Sequence, residues 1–312
     1  MKKHASPKFS IIVVTKNRHK LLFKSLRALA NQTKYTQTPI EIILIDGSTN
    51  KMPQDKSLLS KHHYKVRHIR LQKKGISLAR NFGISLAQGQ YICFVDDDTI
   101  VDKNWLRSLE RVTKKFPHHI VFGQIIPTFE KPVNENILSS VEGVTPWILT
   151  SVKANNPKSI WPYAVNVSIP RKIFSTHGVF SELFANEEGP IKHPYGEDPE
   201  FFARVISQGA DIHFEPTLQC YHHLKSDRLS MAYLFTRYID DGKNSVLGFI
   251  YETRRIQGGY IAKFILRDLF TVITQNKWSN PYTYLYVLTK FLGECLMCIH
   301  LVQYYRYYRS RI

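Results

Sequence analysis

The sequence predicts an α/β fold: a mainly parallel sheet, Rossmann-like, with helices on both faces, followed by a C-terminal helical extension. Three observations predict it. Short, nearly continuous β-branched runs alternate with segments whose apolar residues recur at helical spacing. Polar and acidic residues stand where those runs end. Beyond about Ser226 the composition shifts to long helical patterns rich in Tyr, Phe, Leu, Lys and Arg. At 312 residues and 43% hydrophobic, the chain can bury one large core plus an appendage.

Taken in order, Phe9 to Thr15 (FSIIVVT) reads as a strand, and Leu21, Leu22, Leu26, Leu29 and Ala30 trace a helix after it. Ile40 to Asp46 (IEIILID) repeats the strand signal, and Tyr64 to Leu71 gives a weaker one. Ile76 to Ala87 predicts a helix closed by Gly89 as its C-cap. Tyr91 to Val95 (YICFV) is the next strand and runs into Asp96, Asp97 and Asp98. Further strands are expected at 120–126, 164–169 and 210–214, with a helix from Pro199 to Gln208. Two regions follow from this, an α/β domain over 1–225 and a helical, basic and aromatic region over 226–312.

Lys and Arg number 43 against 25 Asp and Glu, a formal charge of +18 that suits nucleic acid, anionic lipid or phosphorylated ligands without choosing among them. No helix-turn-helix, zinc-finger or RNP signature accompanies it, so no nucleic-acid partner is expected. The N-terminal apolar run is too short for a signal peptide, which places the protein in the cytoplasm. Four scattered cysteines form no disulfide framework, and Cys295 with Cys298, in an apolar helical stretch, reads as packing.

Three carboxylates at the end of a buried strand repel one another unless a cation or donor lies between them. A hard divalent ion, Mg2+ or Mn2+, is one partner; the alternative is a solvated loop with Asp102 capping the next helix. The cluster is not isolated. The run from Gly75 to Asp98 reads GxxxARNxGxxxAxGxYIxFxDDD, and with Ser10 to Arg18 (SIIVVTKNR) and Leu44 to Asn50 (LIDGSTN) it resembles the family 2 glycosyltransferases of GT-A fold. The resemblance extends from about Phe9 to His223.

It implies an inverting transfer of a sugar from a nucleotide-sugar donor to a hydroxyl of a carbohydrate or lipid-linked acceptor, in cell-surface polysaccharide or glycolipid synthesis. It implies that Thr15, Asn17 and Arg18 line the nucleotide site with Asp96 and Asp97. Asp46 would read uracil or an equivalent base, which favours a UDP-sugar; otherwise Asp46 is a turn residue before Gly47. Arg80 would stand near the diphosphate. Tyr163 to Arg171 (YAVNVSIPR) is similar to the family's GGNxxxxR segment, with Ala164 and Val165 in place of glycines and Asn166 kept near the sugar. Glu197 and Asp198 match its ED motif. Asp198, favoured over Glu197, would take the proton of the acceptor hydroxyl, and as Asp before Pro199 it also reads as a helix N-cap. The resemblance also implies that His222 meets the metal, with Asp96 and Asp98, or the diphosphate. Trp161 and Tyr195 flank these motifs, to stack on a sugar or to pack in the core.

The tail from Tyr284 to Tyr305 carries Lys290, Glu294 and His300 and so falls short of a clean membrane span. It reads as an interfacial helix on an anionic membrane, placing the protein peripherally at the inner face of the cell membrane, or as helical packing. A sugar nucleotidyltransferase would need a Gly-rich phosphate loop, and Thr15 to Lys20 (TKNRHK) contains no glycine. The remaining alternative, a non-catalytic binding protein, has only the charge in its favour.

Overall fold

The structure, a computed structural model, describes residues 6–32, 38–50, 65–72, 75–155, 160–184, 196–253, 258–275 and 280–303. These form two compact units, the first from residues within Met1–Thr128, Thr150–Glu188 and Glu197–Leu224, the second gathering Phe129–Leu149 with the chain from Lys225 onward.

In the first unit, β1 (Phe9–Thr15) leads through α1 (His19–Gln32) to β2 (Ile40–Asp46), β3 (Lys65–Arg70) and α2 (Ile76–Leu86). β4 (Tyr91–Val95), β5 (Thr99–Val101), α3 (Trp105–Lys115) and β6 (Ile120–Phe129) follow. β7 (Asn166–Pro170), α5 (Arg171–His177), α6 (Glu197–Ser207) and β8 (Ile212–Leu224) complete it, α4 (Glu135–Val144) belonging to the second unit. The eight strands make one sheet in the order β3-β2-β1-β4-β7-β6-β8-β5.

The sheet is half of what a mainly parallel reading predicts. β3, β2, β1 and β4 run parallel, whereas β7 pairs antiparallel with both β4 and β6, and β5 with β8. Apolar patterning reports burial on both faces, not strand direction, so the antiparallel half looks the same in sequence. β1, β2 and β4 are nearly all buried, as their uninterrupted apolar runs require.

β1 pairs with β2 on one side and β4 on the other. The chain therefore winds outward from β1 in one direction and returns to start β4 on the opposite side. This is a topological switch point, where the loops after β1 and β4 diverge and leave a crevice.

The sequence motif before β4 is explained by packing. Ala79 and Gly83 are the small residues that bring α2 against the sheet, and a Cβ on Gly83 would lie 2.8 Å from the Ile12 side chain. Asn81 clamps the passing chain, its Nδ2 donating to Phe180 O and its Oδ1 accepting from Phe180 N. Gly89 is not the expected C-cap. Ala87 caps the helix with extended backbone, and Gly89 instead presses on β1, where a Cβ would sit 2.6 Å from Ser10 N. Its N–H donates to Ser10 Oγ, which donates in turn to the buried Glu41.

α6 is anchored to β4 by aromatic rings. Phe201 stacks on Phe180 with centroids 4.4 Å apart, and Phe180 meets Phe94 edge-on at 5.4 Å. The start of α6 is thus tied to the strand that ends in Asp96. Gly123 marks a close approach of β6 to β8, where a Cβ would fall 1.9 Å from Leu218 O. Gly123→Ala should lower stability by about 1–3 kcal/mol or more, because backbone must move; a urea midpoint measures it, and an unchanged midpoint would contradict the contact.

The second unit packs α7 (Met231–Thr253), α8 (Gly258–Gln275) and α9 (Pro281–Gln303) with α4. Glycines let α7 and α9 touch backbone to backbone: a Cβ on Gly242 would lie 1.9 Å from Lys290 O, and one on Gly293 2.0 Å from Ile239 O. α9 is long and apolar enough to cross a membrane by length and composition, over Pro281–Leu301 with mean hydropathy 1.3, and 44% of that stretch is buried in the structure. Within it Lys290 and Glu294, the charges that argue against a clean span, turn inward and pair with each other at 2.9 Å.

Candidate active site

Most groups of the site are placed by element ends of the first unit, and Arg80 by the buried face of α2. At the C-terminal end of β1, Thr15 Oγ1 donates to Asp97 Oδ2 at 2.6 Å, tying the loops after β1 and β4 together. Arg18 NH1 reaches Asp98 Oδ2 at 2.7 Å and Asp97 Oδ1 at 3.4 Å. A cleft of about 310 Å³ opens beside them, lined by Thr15, Lys16, Arg18, Gly47, Asp96 and Asp97 among others. Lys16 escaped the sequence reading; its position inside TKNR was the signal available.

The acidic cluster is assembled by β-pairing. β5 and β8 set Thr99 opposite His222, and His223 N donates to Asp98 O, which seats His222 on the acids. His222 Nε2 lies 3.3 Å from Asp98 Oδ1, and ligand atoms of Asp96, Asp98 and His222 all fall within 4.8 Å of one another. The set fits a hard divalent cation, with two carboxylates and an imidazole whose Nδ1 is buried without a hydrogen-bond partner among the described residues. Burial pushes the Asp97 carboxyl up to about 6, against the Thr15 hydrogen bond. Asp96 is also held well above the usual carboxylate range by burial and by Asp98, Asp198 and Asp97, despite Arg80. Asp102 takes no part as the helix cap; Asn104 occupies that position, and Asp102 Oδ1 accepts the Asn104 N–H.

Arg80, expected near the diphosphate, is buried among carboxylates beside the acidic cluster. Its guanidinium is buried, 2% exposed, with NH1 2.8 Å from Glu197 Oε1 and 2.7 Å from Asp198 Oδ1, and NH2 3.8 Å from Asp96 Oδ1. Burial alone would lower its pKa, but Asp198, Glu197 and Asp96 raise it above the ordinary value, so the charge is permanent. The helix spacing explains this: Arg80 lies on the buried face of α2 with Ser77, Ala79 and Gly83.

Asp198 also departs from its expected role as N-cap. α6 starts at Glu197, which puts Asp198 inside the first turn and Pro199 at the third helical position, still among the residues whose N–H lacks a partner in the helix. Its oxygens turn away from the helix, Oδ1 to Arg80 and Oδ2 accepting the Ala164 N–H at 2.9 Å. Ala164, which replaces a glycine of the family's segment, therefore contributes its backbone. Burial pushes Asp198 up to about 6, with Arg80 holding it down against Glu197.

Three residues expected at the donor or sugar also bond within the protein. Asn17 sits in the left-handed region at φ 59, which Asn tolerates, and its Oδ1 accepts from Thr49 N and Oγ1. Asp46 is buried, accepting the Ser48 N–H at 2.9 Å and lying 3.1 Å from His68 Nε2; although burial would raise its pKa, these bonds lower it. Both stand outside the cleft lining given above. Asn166 is 1% exposed and uses its amide to join Gln124 O, Leu218 O and Trp105 Nε1, so it ties strands together. Trp161 is half-buried and packs on the core. Tyr195 lies outside the described residues.

Sheets of this topology take their ligands at the switch point, and here a cleft lined by Lys16, Arg18, Asp96 and Asp97 opens at the strand ends. That combination belongs to a GT-A fold. The mannosyltransferase PcManGT from Pyrobaculum calidifontis, solved in complex with GDP-Man and Mn2+, shares the fold at TM-score 0.58 and 12% identity, covering 95% of this chain and 88% of that one. The family model for glycosyl transferase family 2 matches residues 10–174, more than half of the sequence, and the chain belongs to that family. It is 33% identical over 117 residues to glycosyltransferase GlyG of Streptococcus pneumoniae, covering 36% of this chain and 38% of GlyG. It is 23% identical over 230 residues to the succinoglycan biosynthesis protein ExoM of Rhizobium meliloti, covering 71% and 69%. The chain thus spans little more than a third of GlyG and about two thirds of ExoM.

Proposed function

We propose that the protein is a metal-dependent, inverting glycosyltransferase that moves a sugar from a nucleoside-diphosphate sugar to a hydroxyl of a carbohydrate or lipid-linked acceptor, in the synthesis of cell-surface polysaccharide or glycolipid. One observation carries the reading: a single buried guanidinium, Arg80, joins Asp96 of the acidic cluster to Asp198. The donor end and the acceptor end of a displacement reaction are thereby held in one frame.

In this mechanism Thr15, Lys16 and Arg18 receive the nucleotide and its phosphates in the cleft. Asp96, Asp98 and His222 would hold Mg2+ or Mn2+, which neutralises the charge developing on the departing diphosphate. Asp198, ionised above about pH 6, accepts the acceptor's proton as its oxygen attacks the anomeric carbon and the bond to the nucleoside diphosphate breaks. Arg80 keeps that carboxylate charged and fixed in rotamer, and the Ala164 N–H fixes its second oxygen.

A UDP-sugar is the first donor to test, with GDP-mannose second because PcManGT binds it. The +18 charge and the helical second unit support a peripheral position at the cytoplasmic face of the cell membrane, where a lipid-linked acceptor would be met. A panel of nucleotide sugars, read by released nucleoside diphosphate, tests the activity. Chelation should abolish release and added Mg2+ or Mn2+ restore it, while Asp98→Asn should weaken metal and donor binding together; full activity in excess chelator would remove the metal from the mechanism.

A further inference from the structure

α9 is amphipathic in the wrong sense for a helix in water. Its charged residues, Lys290 and Glu294, are 6% and 1% exposed, and Lys290 also pairs with Asp268 of α8. Its outward stripe carries no charge: Tyr284, Leu288, Phe291, Leu292, Leu296 and Ile299 are between 36% and 69% exposed. These positions recur every three or four residues, so they form one continuous face about 22 Å long. A solvated bundle places its charges outside and its leucines inside. This helix does the reverse.

α8, which packs against α9, exposes a different chemistry. Tyr260, Leu266, Phe270 and Ile273 are 38% to 69% exposed, and the exposed Lys263 and Arg267 stand among them. The two helices contain only two acids, Asp268 and Glu294, and Lys290 takes both. A second copy of this chain docked here through a two-fold would meet no free carboxylate and would set Lys263 and Arg267 against their own kind. An anionic leaflet supplies both the apolar depth and the negative charge that such a face needs.

We infer that the outward face of α9, flanked by the basic face of α8, embeds in the hydrocarbon of an anionic membrane. The inference rests on the membrane position proposed above and names the surface responsible. Attachment is then by insertion of side chains, not by charge alone, and it survives salt in part.

The test uses the full chain with vesicles of phosphatidylcholine, with or without one third phosphatidylglycerol. The protein should sediment with the anionic vesicles and keep part of that binding in high salt. Leu288→Glu with Leu292→Glu, both at exposed positions, should reduce partitioning at least tenfold while circular dichroism and nucleotide release stay unchanged. Leu288→Trp should be quenched by lipids brominated in their chains. Equal partitioning of the double variant would show that the membrane is met by another surface, leaving the peripheral position intact. No vesicle binding by the unaltered chain would overturn both. A light-scattering dimer that the double variant converts to monomer, without vesicle binding, would make a second copy the occupant and overturn the inference while leaving the transferase activity untouched.

Discussion

Asp198→Asn should lower turnover by a factor of about 10² to 10⁴, the range that a positioned general base supplies, with donor binding nearly unchanged. The geometry makes the test interpretable. An asparagine in the same rotamer can still accept the Ala164 N–H, and Glu197 remains 2.8 Å from Arg80. What is lost is the ability to take a proton, together with the hydrogen bond from Arg80, which an amide NH2 cannot accept. The unaltered enzyme, at saturating metal and donor, should lose activity as pH falls through about 6, because burial raises Asp198 to that value and the protonated form is inert. Normal turnover by Asp198→Asn together with a dead Glu197→Gln would move the base to Glu197.

Arg80→Met is the second large effect, and it acts on stability and chemistry together. The substitution leaves Glu197 and Asp198 buried without their shared cation, a loss of about 3–5 kcal/mol for breaking a buried pair. With the opposite charge gone, the acid limb of the pH profile should shift upward by about 1–3 units. Arg80→Lys separates the two effects. An ammonium keeps the charge but cannot present a planar fork, so the limb should stay near its place while turnover falls. If Arg80 bound the diphosphate instead, Arg80→Lys would raise the donor KM and leave turnover at saturating donor unchanged; that KM-against-kcat split decides the role.

The sequence by itself determined the parts whose signals are local. β1, β2 and β4 were legible because buried strands must be apolar throughout, and Asp96, Asp97 and Asp98 because acids directly after such a strand demand a partner. The motif from Gly75 to Asp98 supplied the family, since its length and order are specific. The tertiary structure alone decided partnerships between residues far apart in the chain. Asp46 and Asn166 carry the right groups for binding, yet each also bonds protein neighbours, because a buried amide or carboxylate must be satisfied and only the fold says by whom. Arg80 went to carboxylates 117 and 118 residues away, and no spacing along the chain records that α6 would be brought there by Phe201, Phe180 and Phe94. The inward turn of Lys290 and Glu294 is of the same kind: composition counts charges on a helix, and packing decides which way they face.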